Sequence, residues 1–301
     1  MLSIFTVLSM AILGTSTVAG IITNIFIVAV NFYARDAGVR MNDCDLVVCT
    51  LGLSNVVFLC TMTINDFCIF MWSDGYFSDG IYSMFNVLIL FPIFSSFWFT
   101  VCLCVFYCIQ ILIFTSPFFI KLKQNIAMVV HGLLVWSVLT SLVISLPAAW
   151  SFDKELSWNT TTDLTGNITL VGGVPKLNLY YLLFSFIIGC TVPLLLVSIS
   201  NGLIIQSLCA HAKHMVQSSS SSSTSRSEAG LRAVKTVTLL LLLYITFYVA
   251  EVLMFIDMFP PTSPWFCVCL IVIYLYSPTQ SVILILGSPK LKTMSCKMLC
   301  R

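Results

Sequence analysis

The chain has 301 residues, 59% of them hydrophobic and only 9% charged, with a formal net charge of +2 and a mean hydropathy of +1.02. A water-soluble surface needs about 25% charged residues, so most of this surface must face lipid. The fourteen Lys and Arg form no single basic patch beside a binding module, so there is no footprint for nucleic acid. No stretch outside the apolar segments is long enough to bury a second core, and one membrane domain is expected.

Uncharged runs of the roughly 20 residues needed to cross a bilayer recur seven times along the chain. They predict an all-α membrane protein, a seven-transmembrane helix bundle, with helices at about 4–32, 44–71, 81–112, 126–149, 179–208, 234–258 and 265–287. Between them lie an outer loop at 151–178 and a Ser-rich inner loop at 209–233, and a tail at 288–301 closes the chain. Pro92, Pro193 and Pro278 fall inside spans, where neighbouring helices can satisfy the backbone groups they free. The first span has no positive n-region and is longer than a signal-peptide core, so it reads as a helix that stays.

Charge sets the orientation. Twelve of the fourteen basic residues fall in the three inner loops and the tail, leaving Lys154 and Lys176 outside. By the positive-inside rule the N-terminus is extracellular and the C-terminus cytoplasmic. Two Asn-x-Thr sequons, at Asn159 and Asn167, both lie in the 151–178 loop. That loop is on the side where glycans are added.

Most of the thirteen cysteines, among them Cys49, Cys60, Cys102, Cys104 and Cys269, sit in apolar runs and read as small hydrophobes. Cys267-x-Cys269 lacks the companion ligands of a metal site. Neither metal nor cofactor is expected. His131, His211 and His214 read as ordinary polar residues. The last span holds no lysine for a retinal Schiff base. A transport path would need several ionisable groups within the membrane. The spans offer Glu251, with Asp66 and Asp257 near outer ends. Nor is there a nucleophile–base pair of the kind hydrolysis requires, so the chain reads as a non-enzyme. Signal transduction leads, ahead of a small-solute transporter and an intramembrane enzyme.

Glu251 is the most informative residue physically. It lies about 10.5 Å inward of Met258 at 1.5 Å per residue, where a carboxylate must face the bundle interior and find a partner. Tyr248, three residues back, shares its face. With Asp66 it would favour cationic amines or hydroxyl-rich ligands through charge-assisted hydrogen bonds. The plainer reading is a structural carboxyl bonded to a neighbouring helix.

Four segments carry a family resemblance. Trp98-Phe99-Thr100-Val101-Cys102 through Tyr107, continuing to Phe114-Thr115-Ser116-Pro117-Phe118-Phe119-Ile120-Lys121-Leu122-Lys123, resembles the third helix and second inner loop of the type 2 (bitter) taste receptors. Leu203-Ile204-Ile205-Gln206-Ser207-Leu208, with His211, Lys213 and Met215, is similar to that family's fifth-helix ending. Ser281-Val282-Ile283-Leu284-Ile285-Leu286-Gly287-Ser288-Pro289-Lys290-Leu291-Lys292 is similar to its seventh, and Gly20 to Ile27 to its first. Departures mark a divergent member. Asn55 stands where the family's second helix usually has Arg, Gln110 replaces a usual Lys and Gln280 a usual His, and Ser288 stands where Asn is common. Without that arginine, the network of helices 1, 2 and 7 must be satisfied through residues such as Asn24 and Asn55.

The resemblance implies a plasma-membrane receptor for small organic bitter compounds, coupled to a heterotrimeric G protein of the gustducin, inhibitory type. The pheromone-type vomeronasal receptors are the alternative, and oligomeric state stays open. It places the pocket in the outer third, between helices 2, 3, 6 and 7, at Asn65, Asp66, Trp98, Cys102, Tyr248 and Leu270, to which Glu251 is added on the grounds above. Trp98 also fits an interface aromatic. Phe118, Lys121, Lys123, His211, Lys213 and Lys235 would flank the G-protein cavity, though as inner-face charges they equally suit phospholipid headgroups. Ser218 to Ser223 reads as a flexible linker open to phosphorylation, and Cys296 and Cys300 as acylation candidates.

Overall fold

The computed structural model describes residues 4–36, 41–71, 76, 80–112, 117–153, 159–162, 168–171, 176–217, 224–256, 258–259 and 263–299. Seven helices are long and apolar enough to cross a membrane. The first three are α1 (Ile4–Asp36), α2 (Asp43–Met71) and α3 (Ile81–Ile111). A short α4 (Pro117–Gln124) precedes the fourth span, α5 (Ile126–Ser145), which ends in a 3₁₀ turn over Leu146–Ala149. The fifth span is α6 (Leu179–Phe186) and α7 (Val192–Gln217), joined through a π turn at Ile187–Thr191. The sixth and seventh are α8 (Thr224–Phe255) and α9 (Pro264–Gly287), and α10 (Pro289–Leu299) follows. The protein is a multi-pass membrane helix bundle. Below, outer and inner name its two ends by the orientation expected from the charges.

Local chemistry explains the helix ends. Asp43 and Asp45 occupy the first turn of α2, where a carboxylate meets the positive end of the helix dipole. Asn178 caps α6 by accepting from the Tyr180 N–H at 2.9 Å. Ser263 caps α9, with Pro264 in the first turn, a position where a missing N–H costs nothing. In the fifth span the Val192 N–H bonds the Ile187 carbonyl, five residues back. Pro193 follows directly, and in a regular helix its ring would clash with the carbonyl of residue 189. The wider turn relieves that conflict.

The inner ends are more helical than the sequence alone suggests. The Ser-rich loop expected over 209–233 is narrowed, because α7 reaches Gln217 and α8 starts at Thr224. Ala, Lys, Met, Glu and Arg in these flanks are good helix formers. The tail contains α10, and the outer loop carries two small antiparallel pairs. β1 (Phe152–Asp153) pairs with β4 (Lys176–Leu177), and β2 (Asn159–Thr162) with β3 (Ile168–Val171).

The third span is central, packing on the second, fourth, fifth and sixth, while the first closes the ring against the second and seventh. Two apolar clusters fill the interior. The inner one gathers Ile27, Val47, Leu51, Leu103, Val130, Leu284 and Leu291. The outer one gathers Leu59, Phe94, Phe97, Cys190, Tyr244, Phe247 and Tyr276. Side chains such as Ile22, Ile64, Trp136, Val143, Leu183 and Ile199 point outward, as lipid-facing positions must.

Candidate functional site

At the outer end, Asp66 of the second span accepts a hydrogen bond from the Tyr274 hydroxyl of the seventh. Its other oxygen accepts from the Asn65 amide at 3.3 Å, and Asn65 in turn accepts from the Tyr76 hydroxyl. Tyr76 is fully buried, and burial pushes its phenol above the ordinary range, so it stays a neutral donor. Its ring meets Tyr82 and Phe85, and Tyr82 meets Phe152 of β1. The base of the outer loop is thereby tied to the second, third and seventh spans. Asp66 itself remains exposed.

Beneath it lies an aromatic floor. Phe97 stacks on Tyr244 with ring centroids 3.9 Å apart, and Phe247 and Tyr276 meet it edge-on. The Tyr244 hydroxyl donates to the Cys190 carbonyl at 2.6 Å, and Tyr248 shares a hydrogen bond with Thr191 at 3.0 Å. Cys190 and Thr191 both belong to the π turn, which therefore fastens the fifth span to the sixth. Gly189 in the same turn lies against Phe94, where an added Cβ would come within 2.6 Å of the ring atom Cε1.

Between the two apolar clusters runs a belt of buried polar groups. The Asn55 amide donates to Asn24 Oδ1 at 3.1 Å and to Gln280 Oε1 at 2.7 Å. Asn24 donates to Ser277 at 3.2 Å, and Thr23 meets Ser281 at 2.6 Å. Gln280 donates to the Tyr276 hydroxyl at 3.1 Å and reaches Thr100 at 3.4 Å. Asn24 and Asn55 thus occupy the helix 1–2–7 network that lacks the usual arginine. Beside Asn55 is a narrow cleft lined among others by Phe58, Pro92, Ser96, Phe247 and Tyr276.

The expected pocket residues separate into groups. Asn65 and Asp66 join Tyr274, a residue the sequence reading passed over. Tyr248 bonds Thr191. Leu270 is half-buried on the seventh span. Glu251 is half-buried on the sixth span. Cys102 is buried against the fourth span, its sulfur 3.2 Å from the Ser137 hydroxyl. Trp98, one turn outward on the same row, is half-buried, and its indole N–H is buried with no hydrogen-bond partner among the described residues. Phe97, Ser96 and Thr100 face the sixth and seventh spans instead. A stripe of Tyr244, Phe247, Tyr248 and Glu251 at helical spacing was the signal that could have found the floor.

At the inner end Lys121, Lys123 and Lys235 are exposed. Lys123 donates to the Gln110 carbonyl at 3.1 Å, closing the end of α3. Phe118, His211 and Lys213 lie on α4 and α7, with their side chains outside the described residues. So are the side chain of Asn159 and all of Asn167. Lys290 of α10 donates to Asn31 Oδ1 at 2.8 Å and pairs with Asp45 at 3.1 Å. That lysine holds three helices together. Among the described residues no three or more His, Cys, Asp or Glu gather as a metal site.

This architecture agrees with the comparisons to known proteins. The family model described as "Taste receptor protein (TAS2R)" matches residues 1–301. Among similar proteins, Taste receptor type 2 member 40 of Gallus gallus is 30% identical over 295 residues, covering 98% of this chain and 94% of that protein. Taste receptor type 2 member 9 of Macaca mulatta is 31% identical over 293 residues, with coverages of 93% and 89%. Member 4 of Pongo pygmaeus is 31% identical over 287 residues, with 93% of each chain covered. A match across the whole length, on a bundle of seven membrane-length helices, shows that the chain belongs to the taste receptor type 2 family.

Proposed function

We propose that this chain is a bitter taste receptor of the plasma membrane. Its N-terminus is extracellular, the sequons at Asn159 and Asn167 face outward, and small organic tastants bind in the outer cleft between the second, third, sixth and seventh spans. Asn65, Asp66, Trp98, Cys102, Tyr248, Glu251 and Leu270 contact the ligand. Binding favours one arrangement of the bundle over another, and the inner face, with Phe118, Lys121, Lys123, His211, Lys213 and Lys235, activates a gustducin-like heterotrimeric G protein. The observation that carries this reading is the convergence of an exposed carboxylate, Asp66, with Tyr274 above a closed aromatic floor. Small-molecule sites combine apolar walls with a few convergent polar groups in this way.

The test is calcium release in cells co-expressing the chain with a promiscuous G protein carrying a gustducin tail, screened against bitter compounds. Reproducible responses that vanish on Trp98→Ala, at unchanged surface expression, are expected. Silence at confirmed surface expression would overturn the tastant reading.

A further inference from the structure

The fourth span buries Val130, Leu134 and Ser137 on the side that packs on the third span, and turns its other face outward. On that outward face stands His131, an ionisable side chain of the kind a membrane helix usually directs into the bundle. Its Nδ1 lies 2.7 Å from the Ala127 carbonyl. A carbonyl only accepts, so Nδ1 carries the proton, and a neutral ring then leaves Nε2 as a bare acceptor. His131 is five residues inside the start of the span at Ile126, about 7.5 Å along the axis. Exposed Lys121 and Lys123 precede that start, so the acceptor sits on the hydrocarbon side of the basic side chains.

What surrounds His131 selects the occupant. Gly132 is exposed, with nothing within 4 Å of where a Cβ would stand, so a flat body can lie against the backbone there. Trp136 is 62% exposed and ten residues into a span of 24, too deep for the aromatic belt of a membrane interface. Exposed Val135, Leu139 and Val143 continue this apolar face away from Gly132. One polar point with a long aromatic and aliphatic surface beyond it matches a lipid that has a single hydroxyl and a rigid fused-ring body. Flexible acyl chains lose more freedom on such a surface than a rigid body does. A second copy related by a two-fold axis would present this same face, which at the depth of His131 carries Gly132 and Val135 rather than a donor. We propose that the outward face of the fourth span binds a sterol, whose hydroxyl donates to His131 Nε2 and whose rings lie over Gly132 against Trp136. The site is on the outside of the bundle and does not depend on what the outer cleft binds.

The test uses the full-length chain in phosphatidylcholine vesicles with a photoreactive cholesterol analogue whose 3β-hydroxyl is free, and maps the crosslinked peptides by mass spectrometry. Label should fall on 128–143, and excess cholesterol should displace it better than the 3α-hydroxyl epimer does. His131→Phe keeps a ring and loses the acceptor, and Gly132→Leu fills the notch. Each should reduce labelling by about fivefold, a change within reach of one net hydrogen bond. His131→Gln, which keeps an acceptor, should hold labelling close to wild type. Trp136→Leu removes the ring surface alone and should weaken labelling too, an independent reading if another variant folds poorly. All of these side chains point outward, so thermal unfolding in sterol-free detergent should stay as in the wild type.

Label that cholesterol fails to displace, or that survives His131→Phe, Gly132→Leu and Trp136→Leu alike, would mark ordinary surrounding lipid and overturn the site. Equal loss in His131→Gln and His131→Phe would overturn the hydrogen bond to Nε2. Disulfide-linked dimers of Val135→Cys, absent from the wild type and formed equally with and without cholesterol, would assign the face to a second copy instead.

Discussion

The Tyr244 hydroxyl donates to the backbone carbonyl of Cys190 across the interface of the sixth and fifth spans. A π turn directs that carbonyl inward, so the bond depends on an irregularity in one helix and an aromatic in another. Tyr244→Phe keeps the stack on Phe97 and removes only the hydroxyl. The buried carbonyl loses its partner, a cost of about 1–3 kcal/mol, which thermal unfolding in detergent would register as a fall of several degrees. Tyr244→Ala also opens a cavity, at about 3–5 kcal/mol, and surface expression should drop sharply.

Gly189 provides a second test of the same turn. Its replacement by Ala places a methyl against the Phe94 ring, and overpacking of this kind costs about 1–3 kcal/mol. Phe94→Leu relieves the contact. The double variant should therefore be more stable than Gly189→Ala alone, as read by thermal unfolding. Equal stability would show that Phe94 is not what Gly189 accommodates.

Lys290 binds Asn31 and Asp45 together. Asn31 is fully buried and its amide nitrogen has no partner among the described residues, so the lysine satisfies the half of that amide that is paired. Lys290→Met should destabilise the protein by about 1–3 kcal/mol. Asp45→Asn should cost less, because that carboxylate is partly solvated and a half-exposed pair contributes about 0–1 kcal/mol. Comparing the two melting curves at low and high salt separates the roles. Only the Asp45 contribution should fade with salt.

The outer carboxylates make a prediction about ligand class. Asp66→Asn and Glu251→Gln should each weaken cationic agonists by about tenfold, the equivalent of a charge-assisted hydrogen bond of roughly 1.5 kcal/mol or more. Neutral agonists should keep their potency. Concentration–response curves for matched charged and neutral compounds decide it, and equal losses for both would argue for structural carboxyls. Asp66→Asn carries one further expectation, since the Tyr274 hydroxyl can still donate to the amide oxygen and the outer end should stay assembled.

Span number and position were legible because lipid imposes a length on every crossing, and all seven apolar runs became helices. What faces what was harder to read. Nearly every side of a membrane helix is apolar, so hydrophobic periodicity cannot separate interior from lipid as it does in water. The contact of Cys102 with Ser137 of the fourth span is one that periodicity alone does not announce. Polar residues carried more information. Asn24 and Asn55 were expected to satisfy the network without the usual arginine, and they do bond each other; Gln280, noted only as a departure from the family pattern, joins them. The π turn had only Pro193 to announce it. The helices flanking the serine run were hidden by a composition that suits either a linker or a helix end.

The belt joining the first, second, third and seventh spans is made of side-chain amides and hydroxyls, groups that neither gain nor lose protons where carboxylates and imidazoles do. An acidic sample reaching the protein therefore leaves the register of these helices unaltered. In the outer half of the described spans, the carboxylates that acidity can act on are Asp66 and Glu251. The belt of a bundle assembled this way keeps its charge state when the medium turns acid.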